Sequence, residues 1–157
     1  MSYDFNADEV FEMAEQIERN GAKFYRTAAE AVSKPADKKL LTGLAKMEDA
    51  HEKTFASLRK TLSEKETGST VFDPEDESGS YLRALADTRV FFEKEMDVSS
   101  MAQILKSAIS AEKDSIVFYL GMKEAVPSGL GKEKIEAIIK EEMSHIRLLS
   151  KELLALK

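Results

Sequence analysis

The chain contains two histidines, and each stands three residues after a glutamate, in Glu48-x-x-His51 and Glu142-x-x-His145. A further glutamate precedes each pair by 30 residues, Glu18 before Glu48 and Glu112 before Glu142. The second triplet repeats the first at a constant offset of 94 residues. On a helix, positions i and i+3 project from one face, so each Glu-x-x-His presents a carboxylate and an imidazole together. Four carboxylates and two imidazoles on four helices form the ligand set of a di-iron carboxylate site. Glu48 and Glu142 are placed to bridge two ions, with Glu18 and Glu112 as terminal carboxylates and one histidine, His51 or His145, on each ion. Mixed oxygen and nitrogen ligation suits two Fe ions, or Mn, better than thiolate-preferring metals, and Zn can substitute. Four ionised carboxylates and neutral histidines balance two divalent cations, so the reduced centre carries no net charge.

Each proposed ligand falls within an apolar stripe. Glu18 shares its face with Ala14 and Tyr25, and Glu48 with Leu41, Leu44 and Phe55. Glu112 lies among Leu105, Ala108, Ile116 and Tyr119, and Glu142 among Ile135, Ile138, Ile146 and Leu149. A buried carboxylate without a partner costs several kcal/mol or takes up a proton. No Lys or Arg recurs on these faces to pair with all four, which leaves metal as the simplest compensation.

The elements that must hold these groups are legible in outline. Asn6-x-x-Glu9 resembles a capping box, and Val10, Ala14, Ile17, Gly21, Phe24, Tyr25 and Ala28 recur at helical steps, predicting a helix over 6–31. Pro35 ends the break that follows and opens a helix over 35–62, with Leu41, Leu44, Ala45, Phe55 and Leu58 on one face. Residues 63–80 are rich in Ser, Thr, Gly, Glu and Asp and read as a loop, and Tyr81 to Glu93 as a short amphipathic helix. Two further long helices follow, over 99–126 and 132–156.

From Glu18 to the first turn and from that turn back to Glu48 are 13 residues each, about 20 Å of helix. The hairpin therefore sets Glu48 opposite Glu18, and the same argument joins Glu112 to Glu142. The crossover 63–98 is long enough to run the length of a bundle, leaving the second and third helices parallel. An all-α, ferritin-like four-helix bundle with one long crossover is the expected fold, with 1–157 as a single domain. Phe24-Tyr25 and Glu30-Ala31-Val32 recur as Phe118-Tyr119 and Glu124-Ala125-Val126 at the same offset of 94, so the halves look duplicated.

Other residues have two readings. Tyr25 and Tyr119 lie two turns after Glu18 and Glu112, where their hydroxyls can bond ligand carboxylates or serve as ordinary core aromatics. The seven methionines read as core filler. Glu52 and Glu141 point off the stripes and are expected in solvent. The acidic run Asp73 to Glu77 reads as loop surface, with iron uptake as the other reading.

Composition sets limits. The charged fraction is 33% and the hydrophobic fraction 43%, as in a helical globular protein. A net charge of −6 argues against nucleic acid as a partner, which would need a basic face. No apolar run reaches the length of a membrane span, and the N-terminus has neither a basic nor a hydrophobic region, so a cytoplasmic location is expected. With no cysteine, thiol chemistry, disulfides and Cys-ligated iron are excluded from this sequence.

The paired motifs, with Glu18-x6-Tyr25 and Glu112-x6-Tyr119, resemble the rubrerythrin group of the ferritin-like superfamily across all four helices. Tyr81-Leu82-Arg83-Ala84-Leu85-Ala86-Asp87 is similar to the crossover of stand-alone members of that group. The resemblance implies a non-haem di-iron oxidoreductase reducing hydrogen peroxide or dioxygen, with electrons from an external donor such as a rubredoxin-like protein. It departs at two points. There is no Cys-ligated rubredoxin domain, and Ser115 stands where the group carries an extra glutamate associated with peroxide reduction. The remaining four-glutamate, two-histidine set looks more like the symmetric site of bacterioferritin-like proteins. Ferroxidase action with iron as substrate, oxidation of an organic substrate, and a redox-silent metal clip are the alternatives. A homodimer is the expected assembly, since exposed apolar residues on long bundle helices commonly meet a second copy.

Overall fold

A computed structural model of the protein describes residues 7–65, 80–82, 84–85, 96–126, 129 and 131–156. Four long helices account for most of these: α1 (Ala7–Ala31), α2 (Pro35–Lys65), α3 (Met101–Ala125) and α4 (Lys132–Ala155). No strand occurs among the described residues. The capping box at Asn6 and the acidic run Asp73 to Glu77 lie outside them. Of the short crossover helix, residues 80–82 and 84–85 are described and are helical. None of the described helices is long and apolar enough to cross a membrane.

Local chemistry explains the ends. Pro35 opens α2, where its missing N–H would have had no helical partner and its fixed φ is already helical. Lys38 Nζ donates to the Ala29 carbonyl at 3.0 Å, satisfying one of the orphan acceptors at the end of α1. The Ser100 hydroxyl caps α3 by accepting from the Gln103 N–H at 3.1 Å. α2 runs to Lys65, past the expected end at 62. Ser63-Glu64-Lys65 contains neither Pro nor Gly, and Glu and Lys are good helix formers, so nothing there stops the helix. Gly131 precedes α4 with φ +117°, a backbone conformation that strains any residue with a Cβ, so the turn favours glycine.

α1 packs along α2 and α3 along α4, making two hairpins, and α1 meets α3 as α2 meets α4. Reciprocal contacts fix the directions. Tyr25 of α1 reaches Glu112 of α3 while Tyr119 of α3 reaches back to Glu18 of α1, which only antiparallel neighbours can do. α2 and α3 are both antiparallel to α1, hence parallel to each other, as the long crossover requires. Outer polar faces strap the first hairpin: Arg59 binds Asp8 at 2.7 Å and Glu15 at 3.2 Å, and Arg19 binds Glu52 at 2.9 Å. Glu52 is thus a hairpin ion-pair partner rather than a free solvated group.

The apolar interior falls into two clusters. One gathers Val10, Phe11, Phe55, Leu58, Phe118, Tyr119, Met122 and Ile135; the other gathers Phe24, Tyr25, Leu41, Leu44, Ile104, Leu105 and Leu149. Phe55 is fully buried, 4.9 Å from the Tyr119 ring and 6.1 Å from Phe11, centroid to centroid. Phe55→Ala is expected to cost about 3–5 kcal/mol of unfolding free energy, measured by urea denaturation of the apoprotein. A cost below about 1 kcal/mol would mean that this cluster does not carry the bundle.

Candidate metal centre

Between the two apolar clusters lies a polar layer. Glu18, Glu48, His51, Glu112, Glu142 and His145 are each at most 4% exposed, although they come from four different helices. They form two overlapping groups, Glu18–Glu48–His51–Glu142 and Glu48–Glu112–Glu142–His145, whose nearest ligand atoms lie within 4.8 Å of one another. Glu48 and Glu142 belong to both. The sequence repeat thus becomes a geometric one, with the His51 and His145 rings nearly parallel at 21° and 6.0 Å apart.

Both histidines turn Nδ1 into the layer. His51 Nδ1 lies 2.8 Å from Glu142 Oε1 and 3.6 Å from Glu18 Oε2. His145 Nδ1 lies 3.3 Å from Glu112 Oε1, 3.6 Å from Glu48 Oε1 and 3.8 Å from Glu142 Oε2. Among the described residues, the ion-pair partners of these four glutamates are the two histidines, with no Lys or Arg. Glu18 Oε2, His51 Nδ1, Glu112 Oε2 and both oxygens of Glu142 are buried without a hydrogen-bond partner. His51 Nδ1 and Glu142 Oε1, though close, are not aligned as donor and acceptor. Buried polar atoms are normally satisfied. Orphaned lone pairs converging from four sides are what a pair of cations would fill, so the residues present fit such a group.

Both tyrosine hydroxyls bond carboxylates of the layer. Tyr119 donates to Glu18 Oε1 at 2.6 Å, and Tyr25 to Glu112 Oε1 at 2.7 Å. Each leaves the other carboxylate oxygen, Oε2, unpaired in the layer. Burial first, and then the neighbouring carboxylates, push both phenols well above the usual tyrosine range, so they remain donors. Burial and the facing Glu18 raise Glu48, and burial and Glu48 raise Glu142. Burial works against charging His51, but the close carboxylates of Glu142 and Glu18 carry it up to about 11. In the metal-free protein, protons therefore take the place of cations. Tyr119→Phe should weaken cation binding at the Glu18 group about 10-fold, and Tyr25→Phe at the Glu112 group, by metal titration. Unchanged affinities would return both residues to ordinary core packing.

Two residues expected elsewhere belong to the rim of this layer. Glu141, expected in solvent, is half exposed, yet its Oε2 meets His51 Nε2 at short range. Met47, expected as core filler, is 39% exposed, with Sδ 3.3 Å from His145 Nε2. Met13 and Met122 are buried, as expected. The missed signal was the repeat itself, since 47 and 141 also differ by 94 and each directly precedes a Glu-x-x-His.

A cavity of about 400 Å³ between α1 and α3 reaches Glu48 and Glu112. Ile17, Phe24, Met96 and Val98 give it apolar walls. Gly21 and Ser115, which correspond through the repeat, both line it, and Ser115 turns its hydroxyl back to the Ala111 carbonyl at 3.0 Å. Small residues at both positions keep the space beside the layer open.

No family model and no curated protein sequence matches the chain. Among solved structures, it is similar to the 2.30 Å crystal structure of a protein from Thermotoga maritima described as ferritin-like and diiron-carboxylate. The TM-score is 0.71 at 21% identity, with 100% of both chains covered. The likeness establishes a ferritin-like helical bundle, as the repeat and the crossover length predict.

Proposed function

We propose that the chain is a non-haem di-iron oxidoreductase, in which Glu48 and Glu142, common to both candidate groups, would help hold both of two iron ions. Glu18 with His51, and Glu112 with His145, would complete the two coordination sets. The observation that carries this reading is the pair of overlapping buried groups that share Glu48 and Glu142. Two ferrous ions supply two electrons together, enough to reduce hydrogen peroxide to water, or dioxygen to peroxide, without releasing a one-electron radical. The chain's own contribution is position and dryness. Tyr25 and Tyr119 hold the terminal carboxylates, the two apolar clusters exclude water above and below, and the cavity beside Glu112 admits a small oxidant. Turnover needs an external electron donor, for which a rubredoxin-like protein fits; hydrogen peroxide and dioxygen are both candidate oxidants, and Ser115 in place of the extra glutamate counts against the peroxide cycle of the rubrerythrin group.

Anaerobic Fe²⁺ titration followed by separate additions of H₂O₂ and O₂ tests the proposal. Two irons per chain, oxidised by either reagent, are expected. A loaded ferrous centre inert to both would overturn the redox reading, and iron uptake well beyond two per chain would make iron itself the substrate. The cavity favours one second reading, oxidation of a small apolar organic molecule, because its volume lies within the range of ligand pockets.

A further inference from the structure

The two halves of the site match in their inward ligands and differ in what stands behind the histidines. Each group has one terminal glutamate held by a tyrosine, the same two shared glutamates, and one histidine presenting Nδ1. Behind His51, the Nε2 nitrogen meets the carboxylate of Glu141. Behind His145, the equivalent nitrogen meets the thioether of Met47 at 3.3 Å. A carboxylate is a strong, charged acceptor and a thioether a weak, neutral one.

From this asymmetry, and resting on the two-metal reading above, we infer that the two positions bind metal unequally. The Glu18–His51 position fills first and holds its ion, and the Glu112–His145 position fills second and exchanges. A histidine that donates its outer N–H to a carboxylate is a better electron donor to a cation at its inner nitrogen, and loss of such a partner typically lowers metal affinity 10–100-fold. The negative charge of Glu141 acts in the same direction, drawing a cation toward the His51 side. Access does not separate the two positions, since one cavity reaches Glu48 and Glu112 and another lies against His51 and Glu141. Glu141 and Met47 are therefore positioning residues, each acting on a metal through the histidine it touches.

The test is anaerobic titration of the full chain with Mn²⁺, read by electron paramagnetic resonance. The first equivalent should give the signal of an isolated ion and the second a spin-coupled pair, with affinities separated by about 10-fold or more. In single-position backgrounds, His145→Ala should retain the tight position and His51→Ala the weak one. Adding Met47→Glu to His51→Ala should tighten binding about 10-fold, and adding Glu141→Met to His145→Ala should weaken it by a similar factor. Both rim residues are partly exposed, so these changes spare the core, and circular dichroism verifies folding. Should a histidine variant fail to fold, the same two rim substitutions in the otherwise native chain must narrow the gap between the first and second affinities. Equal affinities that neither substitution alters would overturn the inference and leave the two-metal reading intact. No binding at all would remove both.

Discussion

Glu142→Gln is expected to abolish binding of a metal pair. Glu142 belongs to both candidate groups and is 1% exposed, so the change takes a charged donor from both positions at once. Affinity should fall on the order of 100-fold or more at each, at or beyond the upper end of what loss of an outer partner causes. Glu18→Gln provides the contrast, since Glu18 belongs to one group and its loss should leave one ion bound per chain. Metal content after anaerobic gel filtration distinguishes the two variants. Retention of two ions by Glu142→Gln would refute the bridging assignment.

The second large effect is a stability profile that changes shape on metal loading. In the apoprotein, His51 is raised from 6.5 to about 11. A group raised on folding stabilises fully below its unfolded value, and the contribution is lost as pH climbs toward the folded value. His51 therefore supports the apoprotein below pH 6.5 and progressively less from there toward about 11. Glu48 and Glu142, raised by burial, act in the same sense from the ordinary carboxylate range upward. At the acid end, Asp8 and Asp49 are held below their usual values by hydrogen bonds from Arg59 and Arg26, so their stabilisation is lost as pH falls through that range. The apoprotein should thus be most stable in mild acid and lose melting temperature toward alkaline pH. Metal binding displaces the protons of the layer, so the rise in melting temperature on loading should grow as pH increases from about 5 to about 9. Calorimetry of both forms across that range checks it. An apoprotein that gains stability in alkali would contradict the assignment of protons to this layer.

Much of this arrangement is legible before any coordinates, because its constraints are periodic. Glu18, Glu48, Glu112 and Glu142 stand in apolar stripes of 3.6-residue period, and equal hairpin arms bring them to one depth. Helix ends were readable where Pro35 imposes one, and less so after Leu62, where no residue forbids another turn. What sequence periodicity could not supply was reach. Glu141 lies one position off the stripe, and on helical geometry alone it belongs to solvent. It meets His51 because that ring reaches across from α2 to α4 and turns its outer nitrogen toward Glu141. Met47 escaped for the same reason, since its apolar character suggested the core. The cavity depends on small residues from two helices meeting, Gly21 and Ser115, which neither helix reveals alone.

Each of the two groups draws three ligands from one hairpin and its fourth from the other. A pair of identical hairpins related by a two-fold axis would supply the same six side chains, with no crossover needed. In such an assembly both histidines would necessarily have the same residue behind them, because symmetry copies every change to both sides. Joining the hairpins in a single polypeptide lifts that restriction: position 47 can drift to a thioether while position 141 keeps a carboxylate. The crossover thus does more than tie two halves together, since it lets the halves inherit their changes separately.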